Sequence, residues 1–189
     1  NRADGYSRVN QEELHSEQKE KWKEVLLEQL PKKEKDQVQI LDIGTGPGFF
    51  AILLAEEGYQ VTAVDYTEQM LQEAKSNAAD LADQISFKRM DAQNLEFPKE
   101  TFDYIVTRNV TWNLEHPKRA YREWQRVLKP GGKILNFDAN WYAYLYDDKL
   151  KLGYEQDRQR AKEEQVEDYY EGTDIAWMEN IAKQVPLSP

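Results

Sequence analysis

The stretch that decides the fold runs from residue 38 to residue 65 and reads V-Q-I-L-D-I-G-T-G-P-G-F-F-A-I-L-L-A-E-E-G-Y-Q-V-T-A-V-D. Its first residues form a short apolar run of the kind that a buried parallel strand needs. Three glycines, Gly44, Gly46 and Gly48, follow directly, and the apolar residues 49–55 are typical of a helix that packs on a sheet. Because a glycine turn lets a ligand approach the backbone beside a helix amino terminus, we expect a binding site here.

The next strand of this stretch ends on a carboxylate, Asp65. At the end of a parallel strand, such a group can accept hydrogen bonds from both hydroxyls of a ribose. The alternative is that Asp65 caps the helix that follows Tyr66-Thr67. The ribose interpretation predicts a cofactor that contains adenosine.

The glycine pattern separates the cofactor classes. The dinucleotide fingerprint needs a small residue where Phe49 stands, and the P-loop needs a Gly-Lys-Ser/Thr sequence that is missing. The only charge in the loop is Asp42, which suits a ligand with a cationic end. Its alternative role is that of a strand-end carboxylate satisfied within the protein.

Three further segments complete a larger pattern. Asp91-Ala92 follows the run Ile85-Ser86-Phe87, residues 102–106 read F-D-Y-I-V, and residues 126–132 read R-V-L-K-P-G-G. Together with D-x-G-x-G-x-G at residues 42–48, they resemble the class I S-adenosylmethionine-dependent methyltransferases, most closely the small-molecule, methyltransferase type 11-like group. The resemblance covers about residues 36–140 and is much more specific than the glycines alone.

The chain alternates between strand and helix patterns, which indicates an α/β fold with a doubly wound, mostly parallel sheet. Strands are expected near residues 38–43, 60–65, 84–89, 102–108 and 132–138, and helices near residues 48–57, 67–79 and 117–128. The resemblance implies a Rossmann-like methyltransferase fold with strand order 3-2-1-4-5. The family's terminal strands 6 and 7 are not found in the sequence. We therefore expect strand 5 to have an exposed edge, and a homodimer could form there or through the C-terminal segment.

We expect a single methyltransferase domain over residues 1–189. Residues 1–35 are predicted to be an N-terminal arm and a helix, which Asn10 caps and Pro31 helps to terminate. The arm, around Tyr6, either folds over the bound ligands or is a frayed terminus. Residues 36–140 are the cofactor-binding core. Residues 141–189 are expected to be a helical lid and substrate segment, either truncated or degenerate, with helices over 147–171 and 173–185.

The resemblance implies S-adenosylmethionine as the cofactor and S-adenosylhomocysteine as its product. The glycines would contact the methionine part, Asp42 its ammonium group and Asp65 the ribose. Tyr66 and Met70 would cover the adenine. The residues implied in cofactor binding are Asp42, Gly44, Thr45, Gly46, Gly48, Asp65, Tyr66, Met70, Asp91, Ala92, Arg108 and Asn109.

A small-molecule acceptor is expected to enter above the carboxyl edge of the sheet. Its candidate contacts are Tyr6, Trp112, Asn113, Asp138, Trp141 and Tyr144. The alternative is that these aromatic residues only pack under the C-terminal segment. No catalytic residue is assigned, because displacement at an activated sulfonium methyl depends mainly on proximity and orientation.

Composition narrows the function classes. The net charge of −10 argues against a nucleic-acid methyltransferase, which would need a basic face. The chain has no cysteine, two separated histidines and no apolar run of membrane-spanning length, so neither a metal site nor a membrane span is expected, and the default location is the cytoplasm.

The leading hypothesis is methyl transfer from S-adenosylmethionine to a small molecule. The alternatives are a non-catalytic S-adenosylmethionine-binding module or partner subunit and, less favoured, a nicotinamide-dependent oxidoreductase.

Overall fold

A parallel sheet of five strands, in the order β3-β2-β1-β4-β5, forms the centre of the computed structural model, which describes residues 2–164 and 175–184. The strands are β1 Ile40–Ile43, β2 Val61–Asp65, β3 Ile85–Arg89, β4 Phe102–Arg108 and β5 Leu128–Phe137. The predicted order is confirmed. The fifth strand begins four residues earlier than predicted, because Leu128 already pairs with Phe102 before a bulge shifts the register.

The helices are α1 Arg2–Leu14, α2 Gln18–Gln29, α3 Phe49–Glu56, α4 Glu68–Ala78, α5 Pro117–Val127, α6 Asp148–Glu163 and α7 Ile175–Ala182. The three helices predicted within the core are confirmed to within one residue at each end.

Both faces of the sheet are covered, as expected for a doubly wound fold. On one face Leu26 of α2 and the apolar side chains of α3 pack against Ile40 and Tyr104. On the other face Ala120, Trp124 and Val127 of α5 pack against Leu41 and Ile105. All seven residues from Phe49 to Ala55 are buried. The apolar stretch that identified the fold is therefore its core.

The prediction of an N-terminal arm followed by one helix that Asn10 caps is wrong. The segment forms two helices separated by residues 15–17, and Asn10 does not cap a helix, since it lies within α1 and is 5% exposed. Its side chain faces α4, where Asn77 donates a hydrogen bond to it at 3.4 Å. Tyr6 lies in the same helix and is half-buried, so it belongs neither to an extended arm nor to a frayed end.

The C-terminal segment is helical where it is described. The side chain of Asp147 caps α6 by accepting hydrogen bonds from the backbone N–H groups of Lys149 and Leu150. The predicted helix over 173–185 is present as α7, and Thr173, Asp174 and Val185 lie outside the described residues. Within 2–164 and 175–184 no strand follows β5, which leaves β5 at the edge of the sheet.

Candidate functional site

The loop between β1 and α3 is built from glycines with positive φ. Gly44, Gly46 and Gly48 have φ angles of 65°, 53° and 97°, a backbone region that L side chains rarely adopt. A Cβ atom on Gly44 would lie 2.3 Å from Cγ2 of Val110, whereas a Cβ on Gly46 would have no atom within 4 Å. The loop therefore packs tightly at Gly44 and opens at Gly46, where a ligand has room to reach the backbone.

Asp42 lies beneath this loop and is 2% exposed. Its Oδ2 accepts hydrogen bonds from Thr45 Oγ1 at 2.7 Å and from the backbone N–H of Ala51 at 3.1 Å. Burial raises the pKa of Asp42 to about 7, although these two hydrogen bonds act in the opposite direction. The carboxyl group therefore links β1, the loop and the first turn of α3.

Asp65, at the end of β2, faces the same loop. Its Oδ2 accepts a hydrogen bond from the Gly46 N–H at 3.0 Å, and its Oδ1 accepts one from the Thr67 N–H at 2.8 Å. Burial raises the pKa of this carboxyl group as well. Asp65 thus fixes both the loop and the turn that leads into α4. The N-cap position of α4 is Thr67, and no side chain caps the helix there, so the alternative that Asp65 is a helix cap is wrong.

The residues predicted at the adenine lie along the same edge. Tyr66 is 69% exposed, and the Arg89 guanidinium lies 5.9 Å from its ring centroid. Met70 is half-buried in α4. Asp91 follows β3 and accepts a hydrogen bond from the Gln93 N–H at 2.8 Å.

The Ala92 backbone is also tied into this region. Its carbonyl oxygen accepts a hydrogen bond from Trp124 Nε1 at 2.9 Å. The indole of a core residue of α5 therefore fixes the backbone beside Asp91.

Arg108 and Asn109 end β4, but their side chains have different surroundings. The Arg108 guanidinium makes two hydrogen bonds to Glu13 of α1, at 2.9 and 3.0 Å, and lies 4.8 Å from the ring centroid of Trp22. Asn109 has a φ of 59°, and its N–H donates to the Phe137 carbonyl at 2.8 Å. Of these two residues, only Asn109 is exposed. Sequence reasoning missed the pairing of Glu13 with Arg108, because 95 residues separate the two.

Beyond β4 and β5 lies an open cavity of about 280 Å³ at the surface. The residues that line it are Thr111, Trp112, Asp138, Ala139, Asn140, Trp141 and Tyr142. Three of the six predicted acceptor contacts, Trp112, Asp138 and Trp141, are therefore brought together. Thr111 and the 139–140 turn were missed, since no residue pattern marks them, whereas Tyr142 belongs to an aromatic run that the sequence makes conspicuous.

The other three predicted contacts lie elsewhere. Asn113 is exposed and outside the lining of this cavity, and Tyr6 is in α1. Tyr144 lines a second cavity of about 360 Å³, where its ring stacks on Tyr154 at 4.1 Å and its hydroxyl donates to Glu179 at 2.9 Å. Burial and the Glu179 carboxylate raise the pKa of Tyr144.

Within residues 2–164 and 175–184, no group of three or more acidic, histidine or cysteine side chains is arranged to hold a metal ion. None of the helices described combines the length and the apolar character needed to cross a bilayer.

Comparison with known proteins agrees with this geometry. A family model described as "Methyltransferase domain" matches residues 41–136. The ubiquinone biosynthesis O-methyltransferase of Coxiella burnetii is 31% identical over 109 residues, which are 57% of this chain and 47% of that protein. The ubiquinone/menaquinone biosynthesis C-methyltransferase UbiE of Rickettsia massiliae is 31% identical over 144 residues, 72% of this chain and 54% of that protein. The chain thus spans about half the length of these relatives.

Among solved structures, the PH0226 protein from Pyrococcus horikoshii OT3 superimposes with a TM-score of 0.59 at 30% identity, covering 72% of this chain and 65% of that one. The family match covers half of the chain and includes β1, the glycine loop, Asp65 and Asp91. The chain belongs to the methyltransferase domain family, within the class I S-adenosylmethionine-dependent methyltransferases.

Proposed function

We propose that this chain transfers a methyl group from S-adenosylmethionine to a small-molecule acceptor. The observation that carries the proposal is the junction of the glycine loop with Asp65, where a left-handed glycine backbone opens at Gly46 beside a partly buried carboxylate. Open space over a glycine backbone and an acceptor group for ribose hydroxyls are the two features that this donor needs at the ends of neighbouring strands.

The donor would lie along the carboxyl edge of β1, β2 and β4. The loop backbone at Gly44 and Gly46 and the exposed backbone of Asn109 would contact its methionine part, and Asp65 its ribose. Tyr66 and Met70 would cover the adenine, with Asp91 and the Ala92 backbone at its edge. Thr45, Gly48 and the Arg108 backbone complete the proposed set.

Asp42 differs from the other two carboxylates of this set, Asp65 and Asp91, because it is 2% exposed and its Oδ2 accepts hydrogen bonds from the loop and from α3. Asp42 is therefore proposed to support donor binding by holding the loop in shape, or by contacting the donor's ammonium group through a water molecule. The bound donor supplies an activated methyl group, and its transfer leaves S-adenosylhomocysteine. The protein's part is to hold donor and acceptor in line and to exclude water.

The acceptor is proposed to be a small molecule that binds in the 280 Å³ cavity beside Asn109. The two relatives named above methylate intermediates of quinone biosynthesis according to their names, one on oxygen and one on carbon. Since this chain spans about half of each relative, neither acceptor is assigned to it.

Calorimetric titration of the purified chain with S-adenosylhomocysteine tests the donor site, with NADH as the control ligand. We expect micromolar binding of S-adenosylhomocysteine and no heat with NADH. Binding of NADH alone would favour an oxidoreductase. If the donor binds but no acceptor from a broad panel is methylated, the chain acts as a binding module.

A further inference from the structure

We propose that the cavity beyond β4 and β5 selects an acceptor with a cationic amine, held by the Asp138 carboxylate and by the aromatic rings of Trp112, Trp141 and Tyr142. This inference rests on the proposed function, because it names the class of acceptor for the same site. Three features of the cavity support it: the charge of its lining, the hydrogen bonds that hold Asp138 and the aromatic walls.

The first observation is the charge of the lining. Among the described residues that line the cavity, Asp138 is the only Asp, Glu, Lys, Arg or His. An anionic acceptor would therefore meet a carboxylate with no lining cation to offset it, whereas an ammonium group would find an ion-pair partner. The chain as a whole carries a net charge of −10, which favours the approach of cations in general.

The second observation is the way Asp138 is held. Its Oδ2 accepts the Thr111 N–H at 2.7 Å and also the Thr111 hydroxyl, and its Oδ1 accepts the Ala139 N–H at 3.1 Å. The Thr111 hydroxyl in turn receives a 3.4 Å hydrogen bond from Asn136 of β5. The carboxylate is fixed before a ligand arrives, and Oδ1 keeps capacity to accept a hydrogen bond from a ligand N–H.

The third observation is that the aromatic walls are fixed as well. Trp112 Nε1 donates to the Asn109 carbonyl at 2.8 Å, and the Trp112 ring packs on Tyr142 with centroids 5.5 Å apart. Trp141 is 51% exposed, so about half of its side-chain surface is open to a ligand. Aromatic faces attract ammonium groups, and a tryptophan offers the strongest attraction.

Asn109 lies between the cavity and the proposed donor site. Asn109 ends the strand beside β1 and is proposed to contact the donor, and its carbonyl also fixes the Trp112 indole. A protonated amine has no lone pair, so one N–H proton first passes from the bound ammonium group to the Asp138 carboxylate. The neutral amine then attacks the methyl group: a carbon–nitrogen bond forms as the donor's carbon–sulfur bond breaks, and the electron pair of the broken bond stays on sulfur.

Three ligands of similar size test the proposal: benzylamine is cationic, benzyl alcohol is neutral and benzoate is anionic. Binding of each is measured by calorimetry with the full chain, with and without S-adenosylhomocysteine. We expect benzylamine to bind about 10-fold or more tightly than benzyl alcohol, the effect of one charge-assisted hydrogen bond, and benzoate to bind least. Equal affinities, or a preference for benzoate or benzyl alcohol, would overturn the proposal.

Two variants assign the effect to the cavity. Asp138→Asn should remove the preference for the amine while the affinity for S-adenosylhomocysteine stays within about twofold, a change too small to represent a lost hydrogen bond. Trp141→Leu, at a half-exposed side chain that should not disturb folding, should lower benzylamine affinity by about 2- to 5-fold. Asp148→Asn is the matched control, because it removes the same charge from an exposed residue at the start of α6 that does not line the cavity.

The two levels of the proposal fail differently. Loss of S-adenosylhomocysteine binding in the parent chain would contradict the proposed function, whereas the preference among the three ligands is measured without the donor. An amine preference that Asp138→Asn leaves intact would contradict the assignment to this cavity.

Discussion

At the scale of single residues, Asp65 has two structural partners in addition to its proposed ribose contact. It accepts hydrogen bonds from the backbone N–H groups of Gly46 and Thr67. Asp65→Ala would therefore lose loop contacts as well as a ribose contact, whereas Asp65→Asn keeps one oxygen acceptor. We expect both variants to weaken S-adenosylhomocysteine binding by at least ~1.5 kcal/mol, through lost charge-assisted hydrogen bonds, with alanine the weaker binder.

The measurement is calorimetry, and thermal unfolding of each variant separates loss of fold from loss of binding. An unchanged dissociation constant in a folded Asp65→Asn protein would contradict the ribose assignment. The outcome matters because a purely structural role, through the Gly46 and Thr67 N–H groups, would lower stability and leave the intrinsic affinity of the folded protein unchanged.

The raised pKa of the Asp42 carboxyl group predicts that the stability of the chain depends on pH. Burial raises the pKa of its carboxyl group from 3.8 to about 7 in the folded chain. Between these values the unfolded chain has lost the proton and the folded chain has kept it, so the contribution of Asp42 to stability falls as the pH rises through this window. Above the folded pKa the cost is fully present and no longer changes.

Asp42→Asn removes this titration and keeps an oxygen acceptor for Thr45 and Ala51. We expect the free energy of unfolding of the variant, relative to the parent, to increase with pH across that window by up to about 4 kcal/mol, since each tenfold change in proton affinity is worth about 1.4 kcal/mol. Urea unfolding at pH values below and above the window measures the difference. If the free energies of unfolding of the parent and of Asp42→Asn changed with pH in parallel, Asp42 would not titrate within this window.

At the scale of elements, α1 is held against the glycine loop by one side chain of α4. Asn77 Nδ2 donates to the Pro47 carbonyl in the loop at 3.0 Å, and Asn77 Oδ1 accepts from Gln11 Nε2 at 2.9 Å. Asn77 Nδ2 also lies 3.2 Å from Ser7 Oγ and 3.4 Å from Asn10 Oδ1 of α1, so these two acceptors share its second N–H. The amide thus joins two helices and the loop in one network.

We expect Asn77→Ala to lower the free energy of unfolding by about 1–3 kcal/mol, because it leaves partly buried polar groups unpaired. It should also make α1 more sensitive to limited proteolysis than the remainder of the chain. Ser76→Ala, at the neighbouring exposed position, is the control. Equal protease sensitivity of α1 in both variants would show that Asn77 does not hold the helix.

The elements also show which parts of the fold the sequence predicts. The strands and α3 follow from continuous apolar runs, which only a sheet covered on both faces can bury. The position of α1 cannot be predicted from such a local pattern. It depends on contacts with Asn77, which lies about 70 residues away in the chain. Asn10 matched a capping pattern locally, but the tertiary contact determines its role.

At the scale of the whole molecule, the candidate site also contains some parts that follow from local sequence patterns and others that depend on tertiary contacts. Asp42, the glycines, Asp65 and Asp91 could be predicted because each stands next to a strand end that the apolar pattern marks. The cavity could be predicted only in part, since it depends on how the segments after β4 and β5 fold back on each other. The extent of the domain over residues 1–189 stays a prediction.

The last prediction concerns the edge of the sheet. β5 pairs with β4 on one side, and no described strand pairs with its other side, so its outward backbone groups can form hydrogen bonds with another chain. If two copies meet at this edge around a twofold axis, their β5 strands pair antiparallel and join two five-stranded sheets into one. We expect the mass measured by light scattering to approach that of a dimer as concentration increases.

Hydrogen exchange distinguishes this edge from the C-terminal segment as the dimer surface. In an edge-to-edge dimer, amides within residues 128–137 exchange more slowly at high than at low protein concentration, because only the dimer pairs their outward N–H groups. Amides of β1, which pairs on both sides within one chain, serve as the internal control. Slowed exchange confined to α6 and α7 would move the interface to the C-terminal segment, and a constant monomer mass over the whole concentration range would contradict both forms of the dimer.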